Sequence, residues 1–133
     1  MKNKLNIPQN YYRVSVKGIE IKNHKILLVQ EDDGHWELPG GGLDHGEEIH
    51  DGLRREVKEE MGVDVKSISK FPIIAITMWF RGNPRVIIGY KIKLSSYKIK
   101  KSKECVKLQF FTKKEIQKLN LLHPSLLKLT ELL

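Results

Sequence analysis

A single cysteine, Cys105, is all the chain carries, so no internal disulfide can form and a reducing compartment suits the sequence. No apolar run approaches the roughly eighteen residues that a membrane span needs. Met1-Lys2-Asn3-Lys4 leads into no signal-peptide core, so the expectation is a cytoplasmic protein with no membrane partner. The five histidines (His24, His35, His45, His50 and His123) show no zinc spacing. Neither an internal repeat nor a linker-like stretch interrupts the 133 residues, which suffice for one domain, 1–133, and one core. Acids are scarce too, except in one place.

Twelve of the sixteen acids fall between Glu31 and Asp64, opposed there only by Arg54, Arg55 and Lys58, for a local charge of −9. The other 99 residues hold 21 bases and four acids, or +17, so the net charge of +8 conceals an acidic segment inside a basic body. That division suits a polyanionic substrate that arrives with a metal ion. For most of the lysines taken singly, surface solubility is the simpler account.

Alternating and β-rich stretches predict strands over Tyr11 to Ile21, Lys25 to Gln30 and His35 to Leu38, with turns at Lys22-Asn23-His24 and Glu31-Asp32-Asp33-Gly34. Pro39 and three glycines should break the third strand. Gly40-Gly41-Gly42 is no Walker-type phosphate loop, because no Gly-Lys-Ser/Thr follows; such a run lets backbone approach a ligand closely, and alone would be a plain turn. A helix is expected from Glu48 to Met61 on the stripe Ile49, Leu53, Val57 and Met61, ended by Gly62. Further strands are expected at Val63 to Ser67, Phe71 to Phe80, Arg85 to Leu94 and Val106 to Phe111. Arg81-Gly82-Asn83-Pro84 would be a hairpin turn and the lysine-rich Ser95 to Lys103 a mobile loop. Thr112 and Glu115 form a capping-box pattern opening a helix over 113–119, and Pro124 opens a leucine-rich C-terminal helix.

The chemistry lies on the central helix. Glu56, Glu59 and Glu60 fall at i, i+3 and i+4, so a helix gathers them on one face. Like charges so close repel unless a cation joins them, and hard oxygen donors favour Mg2+ or Mn2+ over zinc. The bland reading is a solvated face paired with Arg54, Arg55 and Lys58.

The spacing decides between them. Gly41, Glu47, Arg55, Glu56, Val57, Glu59, Glu60, Gly62 and Val63 fill every fixed position of the pattern G-x5-E-x7-R-E-U-x-E-E-x-G-U, with U apolar. The sequence therefore resembles the Nudix hydrolase family, and Trp36-Glu37-Leu38-Pro39-Gly40 resembles its usual approach to that box. The resemblance implies an α/β fold of the α+β type, a Nudix-like α/β/α sandwich with a mixed β-sheet. It implies metal ligation by the Gly40 carbonyl, Glu56 and Glu60, with Glu59 a ligand directly or through water, and Arg55 orienting Glu56. Gly41, Glu47 and Gly62 would be structural, Glu47 bracing the loop by pairing with Arg55. The general base varies within the family; Glu104, ahead of the last strand, is the candidate from outside the box, against a plain surface glutamate. Two positions depart from family habit. Gly52 weakens the helix by about 1 kcal/mol relative to alanine, and Glu48 replaces the usual Ser or Thr cap.

The implied reaction is Mg2+-dependent hydrolysis of a diphosphate linkage in a nucleoside diphosphate-X substrate: a nucleoside triphosphate, nucleotide sugar or dinucleoside polyphosphate. Lys91, Lys93, Lys98, Lys100, Lys101 and Lys103 prompt an alternative, an RNA 5′-end pyrophosphohydrolase. A non-catalytic nucleotide-binding module would normally go with an eroded box, and this box is whole. Trp79 and Phe80 are the candidates for a substrate-pocket wall, with core packing as the other reading. A monomer or a homodimer would serve equally.

Overall fold

In the computed structural model, residues 10–133 are described, so Met1 to Lys4 lies outside the described residues. Among the described residues nine strands and three helical segments follow in chain order. They are β1 (Arg13–Ile19), β2 (Ile21–Lys22), β3 (Lys25–Gln30), β4 (Trp36–Glu37), β5 (Gly40–Gly42) and α1 (Ile49–Met61). Then come β6 (Val65–Ile68), β7 (Ile74–Phe80), β8 (Asn83–Leu94), β9 (Lys107–Phe111), α2 (Lys113–Lys118) and a 3-10 helix, Pro124–Leu132.

The first sheet runs β5-β1-β8-β6, with β7 sharing the same long strand β8. Strands β1 and β8 are parallel, Arg13 to Ile19 level with Arg85 to Lys91, while β5 lies antiparallel on the other edge of β1. The second sheet is built on β3, which pairs β2 and β4 along one edge and β9 along the other. Side chains of β3 alternate between two cores. Leu27 and Val29 join Leu53, Val57 and Met61 of α1, whereas Ile26 and Leu28 join Ile116, Leu126 and Leu129 at the C-terminal end. The sheets are covered on both sides by helix, which is the mixed α+β sandwich expected.

Four expectations need correction. The third strand does end before Pro39, but Gly40 to Gly42 then forms a further strand, β5, rather than a plain turn, because β1 offers it a free edge from Ser15 to Lys17. Ser95 to Lys103 is pinned rather than loose: the Tyr97 hydroxyl donates to buried Glu20, Lys100 N donates to Met61 O (2.9 Å), and Ser102 Oγ donates to Glu60 O (2.5 Å). The Tyr97 phenol is accordingly pushed up to about 12, by burial first and then by Glu20. The hairpin after β7 turns on Arg81 and Gly82 alone, both with positive φ (52° and 82°), which matches the twist of the flanking strands. The C-terminal leucine segment is a 3-10 helix. Leu126, Leu129 and Leu132 recur every three residues, the period of that helix, and so share one face.

Candidate active site

Helix α1 carries the acids, and its termini set their pitch. Glu48 does cap it, contrary to expectation: its carboxylate accepts from His50 N (2.9 Å) and Asp51 N (3.3 Å). Gly62, with φ 72°, closes the other end by donating to Lys58 O. Gly52 is not a defect, since a Cβ there would stand 2.5 Å from Leu43 Cδ1 and 2.9 Å from Glu47 Oε1. With Leu53, Val57 and Met61 buried, the remaining face turns Glu56 and Glu60 toward the glycine strand.

Arg55 is the hub. Its Nε donates to Glu47 Oε2 (2.7 Å) and Nη2 to Glu47 Oε1 (2.9 Å), a two-point pairing. Nη1 reaches Glu56 Oε2 (2.9 Å) and Glu59 Oε1 (3.1 Å), and Nη2 also donates to Gly42 O (3.1 Å). The Arg55 hydrogen bonds, helped by the Asp44 N–H, hold the Glu47 carboxyl down at about 2. In return Glu47, more than Glu56, raises the Arg55 guanidinium above its already high value.

Glu60 is placed differently. Only 6% exposed, it accepts from Gly40 N (3.2 Å), and burial pushes its carboxyl up to about 8, with Lys17 opposing and Glu104 and Glu56 adding to the rise. Burial also raises Glu56, against the pull of Arg55. Beneath them lies Lys17, 4% exposed, whose Nζ donates to Leu38 O and Gly40 O (both 3.1 Å) and stands 3.8 Å from Glu37 Oε1. An ammonium this deep is tolerable only with such partners.

These groups line one cavity of about 460 Å³ that brings Glu104 together with Glu56, Glu60 and Gly40 to Gly42. Glu104 is held there through Ser102, whose Oγ accepts from Glu104 N (3.2 Å) while donating to Glu60 O. Glu59 is not part of the lining; its side chain is 58% exposed and meets Arg55. Phe80 lines the cavity, but the strand alternation of β7 sends Trp79 into a separate groove with Tyr11, Tyr12 and Pro84. Two glycines make the close approaches possible. A Cβ on Gly41 would fall 1.8 Å from Glu56 Oε1, and one on Gly42 would fall 2.1 Å from Arg13 Nη2.

The cavity also holds cations that the sequence reading passed over: Arg13 and Lys17 of β1, Arg85 of β8 and Arg81 of the hairpin. The signal was present. Arg13, Ser15 and Lys17 fall at i, i+2 and i+4, the complement of the apolar alternation in the same strand.

The family model for the NUDIX domain matches residues 11–133. The chain belongs to the Nudix family. Nudix hydrolase 2 of Arabidopsis thaliana is 44% identical over 62 residues, 41% of this chain and 22% of that protein. An RNA pyrophosphohydrolase of Campylobacter jejuni is 36% identical over 69 residues, 46% of this chain and 44% of that protein. The chain thus matches less than half of the length of either Nudix relative. Among solved structures, the MutT protein of Methanosarcina mazei superposes with a TM-score of 0.75 at 20% identity, over 94% of both chains, a likeness of Nudix fold.

Nudix hydrolases generally use divalent metal ions, and the donors here fit one. They are hard oxygens, and burial disfavours the charged form of two of the carboxylates, Glu56 and Glu60, a cost that a cation beside them would offset. Among the described residues no three acidic side chains already form a closed metal cluster. An ion would compete with Arg55 for Glu56 and with the Gly40 N–H for Glu60. The Gly40 carbonyl, although it accepts from Lys17, keeps a second lone pair. Among the described residues no helix is long and apolar enough to cross a membrane.

Proposed function

We propose that the chain, as one Nudix domain, hydrolyses the diphosphate linkage of a nucleoside diphosphate-X substrate with the help of Mg2+, or Mn2+ in its place. The observation that carries this reading is the convergence of half-buried Glu56 and buried Glu60 with Glu104 and the glycine strand in one cavity. The Gly40 carbonyl, Glu56 and Glu60 would hold the metal, with Glu59 assisting through water. Held there, a divalent cation would supply Lewis acidity, polarising phosphorus and lowering the pKa of water. Glu104 takes the proton of the attacking water, and its tether to Ser102 supports that placement. Arg55 orients Glu56, braced by Glu47; Gly41 makes room for Glu56, and Gly62 ends the helix that carries it. Phe80 offers a face for the base, with Trp79 bordering the next groove. A cytoplasmic setting fits the one thiol, buried Cys105, pushed up to about 12 by burial first and then by Glu60. A monomer or homodimer is compatible with a site built from one chain.

A second reading, hydrolysis at a triphosphorylated RNA 5′ end, is favoured by the Campylobacter relative and by the basic body of the protein. It requires binding that weakens steeply with salt.

Purified protein with Mg2+, given nucleoside triphosphates, nucleotide sugars, dinucleoside polyphosphates and 5′-triphosphate RNA, should release phosphate, pyrophosphate or nucleoside monophosphate from at least one. The Glu56→Gln variant should release at least about a hundredfold less. Silence across the whole panel would overturn the proposal.

A further inference from the structure

The cations of β1 and β8 have a property that the acids of α1 lack. Parallel register sets Arg13 level with Arg85, and Ser15 lies two residues along the same face of β1. Ser15 is fully buried and its hydroxyl has no hydrogen-bond partner. The Nε of Arg85 is buried and equally unmatched. Among the described residues neither arginine has a carboxylate at ion-pairing distance, although Arg81, in the same cavity, is paired with Asp33 (2.9 Å) and Glu31 (3.4 Å). Two level guanidiniums without a counter-charge repel, and a buried hydroxyl and N–H left unmatched each carry a desolvation cost. One anion relieves all of these together. Gly42 in turn leaves room for the Arg13 guanidinium to lie over it, because a Cβ there would fall 2.1 Å from Arg13 Nη2.

We propose that Arg13, Ser15 and Arg85 form a phosphate subsite that takes a third phosphate group of the substrate, beyond the diphosphate at the α1 acids. The substrate class is therefore a 5′-triphosphate, free or at the end of RNA, in preference to a diphosphate closed by a neutral sugar. This rests on the diphosphate-hydrolase reading of the same cavity. Guanidinium forks match the oxygens of a phosphate two at a time, and sugar hydroxyls leave both charges unbalanced.

The test is calorimetric titration of metal-free protein, in EDTA, with inorganic tripolyphosphate, while arginine Nε–H signals are followed by NMR. Saturable binding is expected, with movement of the Arg13 and Arg85 signals. Affinity should fall at least about tenfold in R13Q and in R85Q, and a few-fold in S15A. R85K keeps the charge and the fold but loses the fork, and should fall between wild type and R85Q. Equal affinity in wild type and the R13Q/R85Q double variant overturns the subsite, as do unmoved arginine signals.

In turnover, kcat/KM for a nucleoside triphosphate or a triphosphorylated oligoribonucleotide should exceed that for a nucleotide sugar at least about tenfold, and the double variant should lose this preference through KM. A preference that survives in the double variant also overturns it. Whichever triphosphate source is faster at matched salt identifies the physiological one, and either order supports the subsite. Glu56→Gln keeps the two proposals apart. A variant that binds tripolyphosphate but hydrolyses nothing agrees with both. Hydrolysis by it at the wild-type rate removes Glu56 from the metal site and leaves the subsite standing, whereas silence of the wild type on the whole panel sinks the hydrolase reading alone.

Discussion

Helix α1 and strands β1 and β8 deliver side chains to the same cavity, yet the two sets rest in unlike states. The α1 acids are already engaged, Glu56 by Arg55 and Glu60 by the Gly40 N–H. The arginines level with each other on β1 and β8 have no carboxylate at ion-pairing distance among the described residues, Arg85 lying over the Phe80 ring (5.3 Å) with its Nε unmatched. An engaged group must exchange partners to act, so its loss is felt in the chemical step. An unmatched group gains on contact, so its loss is felt in binding. On the proposed reading the cavity would divide its work between the element that the box describes and two strands that it does not.

The sharpest way to break the contrast is Glu56→Gln, which should lower kcat by roughly 10²–10⁴-fold with little change in KM. Steady-state kinetics beside R85Q checks it, and a matching rise in KM for both variants would erase the distinction. Next in size is Lys17→Met, which strands Glu37 and two carbonyls without their buried cation. It should destabilise the protein by about 3–5 kcal/mol, read from urea unfolding. A near-neutral result would mean that Lys17 is not the support of β5.

Metal dependence comes third. At a hundred times its dissociation constant Mg2+ should stabilise the fold by about 2.7 kcal/mol, and EDTA should remove that gain. Glu60→Gln should respond to neither. Without metal the Glu60 carboxyl, raised from 4.5 to about 8, binds its proton more tightly folded than unfolded. Wild-type stability should therefore fall as pH rises from 4.5 to 8 in EDTA, and Glu60→Gln should flatten that slope. Glu47 gives the smallest effect and the opposite sign. Its carboxyl is lowered from 4.5 to about 2, so its stabilisation is present above 4.5 and lost as pH falls toward 2. Acid unfolding of Glu47→Gln should lack that loss, and an unchanged curve would count against the brace.

Much of this was legible in the sequence because it is local. The α1 stripe, the Gly62 end, the Thr112–Glu115 capping box and the box acids all depend on residues a few positions apart. Glu104 lines the cavity too, and only the structure reveals Ser102 as its tether. What was not legible depends on contacts across the chain. A triglycine becomes a strand only when β1 lies beside it, and Glu48 caps only because its longer side chain can fold back on the first turn. The cationic set needed the register of β1 against β8, and Trp79 parted from Phe80 because neighbours on a strand face opposite ways.

Parallel pairing of β1 with β8 also sets an order of assembly. A helix such as α1 can form from its own stretch of chain, but Arg13 and Arg85 become level only after the intervening strands have found their places. The acids can therefore be gathered early and the arginine pair only late. A chain arrested part-way through folding could present the α1 acids while lacking both the Gly40 carbonyl, which needs β1 beside it, and the level arginine pair. Closure of the sheet is therefore the event that would bring both halves of the cavity together.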